Sequence, residues 1–386
     1  MRPSVLTALT ATVAALVTAC GSGGGGGAPA PAPPPATGAL SGVCPNPVVV
    51  QTDWFAESEY GAYFQLLGDA PRFDTDKKRV TAPLVDAGRP TGVDLEIRYG
   101  GPAIGFQQVS AQMYADKAIT LGLVSTDEAI QNSDQLPTVA VAAPLETSPQ
   151  MIMWDRTKHP DVRTIADLGR TGVPVLYYQA DTYMQYLLTS GLLRPEQVDG
   201  SYDGSPSRWV TSDGTVAEAG FATSEPYIYR NELGEGRSFD VDLQLVSDTG
   251  YPLYGQALSV RAADRAPLAP CLAKLVPMVQ RAQVAFVTDP ARTNELVVRA
   301  VQADNGSVWS YSPGLADYAV RTMRERRIVG NGPNATLGDM DEGRIARMID
   351  ILRPVFAAQN KPIKEGLTPD QLFTNEFVDP AVGLPS

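Results

Sequence analysis

Strand-like and helix-like segments alternate along residues 47–247 of this 386-residue chain, and this alternation restricts the folds it can adopt. β-branched and alternating apolar runs predict strands, and segments with helical spacing separate them. Such alternation is typical of α/β proteins with parallel sheets. The predicted strands are residues 47–52, 93–99, 118–124, 138–143, 150–154, 173–178, 197–202, 216–221 and 243–247.

A second α/β unit is expected to begin near Thr164, because Thr164 and Asp167 have the spacing of a helix capping box. From residue 267 onward the pattern is mainly helical. Two α/β units in series, followed by a helical part, predict two lobes with a cleft between them. The helices expected after the second unit are residues 267–282, 291–302, 314–326 and 342–359.

The first 20 residues have the pattern of a secretory signal peptide. Arg2 precedes an apolar run that ends at Val17, and this run is too short to span a bilayer. The ending Val17-Thr18-Ala19-Cys20 resembles the lipobox of bacterial lipoproteins, in which the cysteine becomes the acylated N-terminus. A glycine run and a Pro/Ala-rich segment follow and are typical of a tether. We therefore expect an extracytoplasmic protein that is lipid-anchored at Cys20 to the cell membrane; a cleaved signal with an incidental cysteine is the alternative.

The net charge of the chain restricts the classes of partner that it can bind. The net charge of −12 argues against nucleic acid and against binding to anionic lipid through basic residues. After the leader, no run approaches the roughly 20 apolar residues of a membrane-spanning helix. We expect the tethered part to be a monomer.

Two cysteines remain besides Cys20. In an oxidising compartment, the pair Cys44 and Cys271 favours a disulfide that joins the start of the domain to a late helix. Two separate buried thiols are the alternative.

Five short stretches carry a resemblance to a known family, the extracytoplasmic solute-binding proteins of ABC importers in the thiamine-pyrimidine-precursor group. This group is related to the nitrate, sulfonate and taurine binders. The resemblance covers roughly residues 47–380 and rests on Gln51-Thr52-Asp53-Trp54-Phe55 with Glu57, Gly61 and Tyr63, Gly100-Gly101-Pro102, Ser125-Thr126-Asp127-Glu128, Ser224-Glu225-Pro226-Tyr227, and Phe373-Thr374-Asn375-Glu376-Phe377.

This resemblance implies a two-lobe periplasmic-binding-protein-like fold of type 2, with a hinge and an interlobe ligand cleft. The chain would leave lobe 1, build lobe 2 and return. We expect a signal peptide at 1–20, a tether at 21–42, the first part of lobe 1 at 43–154, lobe 2 at 155–247, and the return to lobe 1 with the C-terminal helices at 248–386. The hinge is expected near residues 143–154 and 247–254. A permease and its ATPase would be the partners.

Ligands of α/β proteins bind at the carboxyl ends of the strands. Residues at these ends are therefore candidate ligand contacts. One lobe would contribute Asp53, Trp54, Glu57, Gly100, Gly101, Ser125, Thr126 and Asp127, and the other Tyr177, Tyr178, Gln179, Thr182, Glu225 and Tyr227, with Trp154 near the crossing.

Several of these residues also have a structural interpretation. Trp54 would serve as a core aromatic, Gly100-Gly101 as a tight turn, and Ser125 with Glu128 as a capping box. Tyr177 and Tyr178 are adjacent in a strand and point to opposite faces, so at most one of them faces the ligand.

The chemistry of the candidates is aromatic and acidic. Asp53, Glu57, Asp127 and Glu225 are carboxylates, and no Arg or Lys stands at the strand ends. Aromatic faces and carboxylate acceptors suit a small N-heterocyclic solute, such as a thiamine pyrimidine precursor. A flavin, a cationic amine, and a sulfonate or nitrate remain alternatives, and a structural or signalling lipoprotein without a solute is the alternative outside transport.

An enzyme is not expected. Relatives that synthesise the thiamine pyrimidine need an active-site His and Lys and a cysteine-rich metal motif. This chain has one histidine, His159, and no cysteine cluster. It also lacks a G-x-S-x-G elbow, a P-loop and zinc-ligand spacing. We expect no catalytic residues, no metal and no cofactor.

Overall fold

The computed structural model describes residues 38–179, 181–234, 236–304 and 309–385. The signal peptide, Cys20 and most of the expected tether lie outside the described residues. Within the described part, no helix combines the length and the apolar character needed to cross a membrane.

Strands and helices alternate as the sequence predicts, and the described part is a mixed α/β fold. The strands are β1 (Val48–Gln51), β2 (Arg72–Asp74), β3 (Arg79–Asp86), β4 (Arg89–Arg98), β5 (Leu121–Val124), β6 (Thr138–Ala142), β7 (Gln150–Asp155), β8 (Val175–Leu176), β9 (Val198–Asp199), β10 (Ala217–Phe221), β11 (Val241–Leu245) and β12 (Ala257–Arg261). The helices are α1 (Gly61–Gln65), α2 (Val109–Ala115), α3 (Thr126–Gln131), α4 (Ile165–Thr171), α5 (Thr182–Thr189), α6 (Ser207–Thr211), α7 (Glu225–Asn231), α8 (Arg265–Thr288), α9 (Ala291–Ala303), α10 (Pro313–Glu325) and α11 (Glu342–Ala358).

The strands form two sheets. The first sheet has the order β2-β3-β4-β1-β5-β12-β6, and the second has the order β11-β7-β10-β8-β9. In the first sheet β1 pairs in parallel with β4 and β5, and in the second β8 pairs in parallel with β9 and β10. Parallel pairing brings the carboxyl ends of these strands to one edge of each sheet.

The chain crosses between the sheets twice, at residues 143–149 and 246–256. It leaves the first sheet after β6 and returns to it at β12. We expected residues 150–154 to belong to lobe 1, but β7 lies in the second sheet, where it pairs antiparallel with β10 and β11. These two pairings make β7 a strand of the second sheet.

The helices after β12 pack against both sheets. α8 contacts α1 and β6, and α11 contacts α3 and α5. The C-terminal segment adds to the edge of the first sheet, since Ala140 N–H donates to Leu372 O and Thr374 N–H donates to Ala140 O. This packing holds the strand ends of both sheets in place.

The disulfide between Cys44 and Cys271 is present, with a Cα–Cα distance of 4.8 Å. Cys44 lies just before β1, and Cys271 lies in the first turns of α8. The bond therefore joins the start of the described chain to the long helix that packs on the first sheet.

Local signals were correct at some points and wrong at others. Thr164 and Asp167 form the predicted capping box at α4. Ser125 makes no side-chain cap at α3; its hydroxyl donates to Asp127, and the Glu128 carboxylate accepts from Ser110 N–H. The antiparallel β2-β3-β4 segment was not predicted beyond residues 93–99.

Candidate functional site

A cavity of about 230 Å³ lies at the carboxyl-terminal strand ends of both sheets. The loops after β1, β4 and β5 contribute one wall, and the loops after β8, β9 and β10 contribute the other. Trp309, which precedes α10, closes one side. The cavity is therefore enclosed by segments far apart in the sequence.

Backbone hydrogen bonds fix the loop after β1. Trp54 O accepts from Thr52 Oγ1 at 2.7 Å and from Gly100 N at 2.8 Å, and Asp53 O accepts from Gly101 N at 2.9 Å. Gly101 has a φ of +55°, and a Cβ there would lie 2.7 Å from the Trp54 ring. Glycine is thus required for the ring to lie against this loop.

The opposite wall is built around Glu225 at the start of α7. Its carboxylate accepts from Phe221 N at 2.8 Å, Ser224 Oγ at 2.6 Å and Tyr202 OH at 3.2 Å. A Cβ at Gly220 would lie 2.6 Å from the Glu225 carboxyl carbon. The small residue and the three donors together hold this carboxylate at the cavity wall.

Aromatic rings from both walls meet across the cavity. Phe106 lies 6.0 Å from Trp54 and 6.0 Å from Tyr178, measured between ring centroids. Trp309 lies 6.3 Å from Trp54, edge to face. Phe106 is 47% exposed, so it forms the rim. A flat ligand would find ring faces on more than one side.

Seven carboxyl side chains line the cavity, and no Lys, Arg or His of the described residues does. Most accept hydrogen bonds from neutral donors: Asp53 from Tyr60 OH at 2.8 Å, Asp127 from Tyr251 OH at 3.1 Å, and Asp181 from Tyr183 OH at 2.9 Å. The seven are Asp53, Glu57, Asp127, Glu128, Asp181, Asp203 and Glu225.

Burial raises the pKa of most of these carboxyls, because the low-dielectric interior disfavours the charged form. Desolvation raises the pKa of Asp181 and of Glu128 to about 7 each. Desolvation, then the negative charges of Glu59 and Asp53, holds the pKa of Glu57 well above its usual range. Hydrogen-bond donors partly offset desolvation at Asp53, Asp127 and Glu225, whose pKa values are also raised.

The structure brings nine of the predicted residues together. They come from both sheets and lie on the cavity wall: Asp53, Trp54, Glu57, Gly101, Ser125, Asp127, Tyr178, Thr182 and Glu225. Of the adjacent tyrosines, Tyr178 lines the cavity, and Tyr177 is buried in the core beneath it. This is the outcome that opposite strand faces require.

Six predicted residues lie outside the cavity lining. Trp154 is fully buried between the second sheet and its helices, because its strand, β7, is an interior strand that pairs with β10 and β11. Tyr227 points away from the cavity and packs against Tyr318, at 5.3 Å between ring centroids. Thr126 bonds to the Tyr254 carbonyl at the second crossing. The others are Gly100, Tyr177 and Gln179.

Sequence reasoning missed many lining residues. Tyr202 and Ser224 were within reach of prediction, because each lies just after a strand of the second sheet. Trp309 had no such signal, since it belongs to a segment before α10 that no strand precedes. The missed residues are Phe106, Gln107, Gln108, Val109, Glu128, Gln150, Asp181, Tyr183, Tyr202, Asp203, Gly204, Ala219, Gly220, Phe221, Ser224 and Trp309.

His159 lies away from the cavity, where its ring nitrogen Nε2 is 3.1 Å from Thr215 O. Within the described ranges, no group of three or more His, Cys, Asp or Glu side chains is arranged to hold a metal ion.

Comparison with solved structures shows the fold. The chain is similar to the periplasmic aliphatic sulphonate binding protein SsuA from Escherichia coli, with 12% identity, a TM-score of 0.51, and coverage of 84% of this chain and 94% of that one. At this identity the similarity shows the periplasmic-binding-protein fold alone.

Two further structures align over most of their length, with TM-scores below 0.5. They are a periplasmic sulfonate-binding protein from Methylobacillus flagellatus (14% identity, TM-score 0.46, 86% of this chain and 93% of that one) and the periplasmic nitrate-binding protein NrtA from Synechocystis (12% identity, TM-score 0.42, 84% and 92%). No protein-family profile and no curated protein sequence matches the chain.

Proposed function

We propose that this chain is the solute-binding receptor of an ABC importer. The observation that carries the proposal is the cavity walled by the strand ends of two sheets, within a periplasmic-binding-protein fold. Proteins that close around a ligand in this way rotate two lobes about a few linking residues. The two crossings at residues 143–149 and 246–256 are the expected hinge. Closure would present both lobe surfaces to a permease, which an ATPase drives.

Contacts between the two walls agree with closure. The Thr223 hydroxyl, from the segment after β10, donates to the Glu59 carboxylate, beside α1. The rings of Phe106 and Tyr178 meet at the rim. A solute inside would therefore be surrounded by protein, as small-molecule sites usually require.

The solute we propose is a small N-heterocycle, such as a thiamine pyrimidine precursor. Trp54 and Tyr178 offer ring faces, and the carboxylates accept N–H donors. A sulfonate, the ligand named for the Escherichia coli protein, would call for Arg forks or free helix N-terminal amides. The described cavity lining has no cation, and the three helices that begin there, α3, α5 and α7, each have a carboxyl group in or beside the first turn. The lining therefore disfavours an oxyanion.

The cellular setting is also part of the proposal. Cys20 would carry the lipid anchor, and the signal peptide would direct the chain out of the cytoplasm. The Cys44–Cys271 disulfide supports an oxidising compartment. Turnover of the solute is not part of the proposal.

A titration combined with small-angle scattering tests the receptor function. Pyrimidines, flavins, sulfonates, nitrate and polyamines are screened for a rise in the thermal midpoint, and the best compound is then titrated. We expect one class to stabilise the protein and to reduce its radius of gyration. If every compound leaves both quantities unchanged, the chain is a structural or signalling lipoprotein; if the bound compound is converted to product, it is an enzyme.

A further inference from the structure

Glu57 differs from the other carboxyls at the cavity. It is only 2% exposed, and its Oε1 accepts no hydrogen bond within the described part of the chain. It lines the cavity together with Asp53 and Trp54 from the same loop. Buried polar atoms almost always have a partner, and a carboxylate oxygen accepts only. A ligand donor at this point would satisfy it.

The remaining carboxyls give the cavity its charge. They accept hydrogen bonds from hydroxyl and amide donors, as shown for Asp127, Asp181 and Glu225, and from no Lys, Arg or His among the residues that the structure describes. Removing a carboxylate from water without a cation is strongly unfavourable. Positive charge on the ligand would balance several carboxylates at once.

The other lining groups indicate an organic cation. The described residues contain no cluster of ligating side chains arranged for a metal. Trp54, Phe106, Tyr178 and Trp309 present aromatic rings, whose faces attract cations that carry little hydration. The cavity volume of about 230 Å³ leaves room for a ring with short substituents.

We propose that the solute is bound as an organic cation, with a protonated nitrogen donating to Glu57 and its ring between Trp54 and the aromatic side chains opposite. This inference rests on the receptor function proposed above and adds the charge of the substrate. It also assigns Glu57, rather than the better-bonded Glu225, as the principal counter-charge.

Two pairs of probes that differ mainly in charge test the proposal on the purified full chain by calorimetry. The first pair is 4-amino-5-(aminomethyl)-2-methylpyrimidine, protonated at neutral pH, and its neutral 5-hydroxymethyl counterpart. The second is benzamidinium and benzamide. Each cation should bind about 10- to 100-fold more tightly than its neutral partner, the range expected for a charge-assisted hydrogen bond. Calcium and magnesium chloride should not compete.

The variant Glu57→Gln should abolish this preference, leaving the cation and its neutral partner within about threefold of each other. Glu59→Gln is the matched control: Glu59 is 3% exposed and two residues away, it does not line the cavity, and an amide oxygen would still accept from Thr223. The Glu59→Gln variant should keep most of the preference for the cation over its neutral partner. Equal losses in both variants would overturn the assignment of Glu57.

The remaining outcomes separate this inference from the receptor function. If a neutral member binds as tightly as its cation, the solute is not selected by charge and the inference fails, while the receptor function stands. If nitrate or methanesulfonate binds and none of the four probes does, both the inference and the N-heterocyclic assignment fail. If nothing in the wider panel binds, the receptor function fails as well.

Discussion

The cavity and a second depression, the groove at the amino-terminal end of β1, differ in how their charged side chains are paired. The groove is lined in part by Arg79, Glu96, Arg98 and Arg261. There the Glu96 carboxylate forms ion pairs with Arg79 and Arg98, at nitrogen–oxygen distances of 2.9 Å and 2.6 Å, and Arg261 forms an ion pair with Asp264. In the cavity the described carboxyls have neutral donors only. Each arginine of the groove is paired with a carboxylate, whereas the carboxyls of the cavity have no cationic partner among the described residues.

The largest effect on stability is expected beside the groove. Replacing both cysteines, Cys44→Ser with Cys271→Ser, opens a loop of sequence separation 227. The chain-entropy model gives a loss of about 5 kcal/mol in the free energy of unfolding, often less in practice. Denaturant unfolding measures it. Solute affinity of the folded variant should stay unchanged, because the bond is remote from the cavity; a parallel loss of affinity would mean that the two regions are coupled.

The largest effect on binding is expected at Trp54. Trp54→Ala removes the ring against which a flat solute would stack, and it should weaken every ring ligand by roughly 2–3 kcal/mol, or about 30- to 150-fold. Phe106→Ala is the control on the same wall, since Phe106 is 47% exposed at the rim. Calorimetric titration should show it losing less than about tenfold. The reverse order would move the stacking face from Trp54 to the rim.

The cavity shows which residues of the site can be predicted from the sequence. Asp53, Gly101 and Ser125 follow strands of a recognisable α/β pattern, and parallel pairing brings such strand ends together whatever the details of packing. Trp154 also stands at the end of a predicted strand, but it lies in the core and not at the cavity. Its strand is an interior strand of the second sheet, and no local signal distinguishes a tryptophan in an interior strand from one at a crossing.

Other parts depend on contacts between distant segments. Trp309 reaches the cavity through the packing of the C-terminal helices, and it precedes a helix rather than following a strand. Strand β3 was missed because Pro83 interrupts the alternation that predicts a strand, and β2 is only three residues long. The charge contrast between cavity and groove likewise emerges only when the partners of each carboxyl are known.

The dependence of stability on pH separates cavity carboxyls from surface carboxyls. Asp181 and Glu128 have pKa values of about 7 in the folded protein, against roughly 4 when unfolded. Between those values the folded state holds more protons, so the free energy of unfolding should fall as pH rises. Calorimetry of the ligand-free protein from about pH 5 to about pH 8 should show a loss on the order of 1–3 kcal/mol.

A control for this profile is the double variant Asp181→Asn with Glu128→Gln, which should reduce its slope. Asp167, at the surface, behaves oppositely: Arg170 and the capping donors lower its pKa to about 2. Its contribution is present above the unfolded pKa near 4 and is lost only as pH falls below that value. If the free energy of unfolding rises between about pH 5 and about pH 7, the interpretation that the cavity carboxyls lack a compensating charge is wrong.

The smallest effects come from neutralising one carboxyl in each region, and their signs should differ. In the groove, Glu96→Gln removes the negative charge that Arg79 and Arg98 share, so the free energy of unfolding should fall by about 1 kcal/mol or less. In the cavity, Glu57→Gln removes a group whose folded pKa is raised by desolvation and neighbouring carboxylates. Because the folded pKa is raised, the wild type loses stability as pH rises above the unfolded pKa near 4, and the variant does not. The variant should therefore be more stable than the wild type at about pH 8, and the difference should shrink towards about pH 5. Urea unfolding of both variants at the two pH values measures this. A destabilised Glu57→Gln at about pH 8 would show that the cavity, like the groove, already contains a partner for its charge.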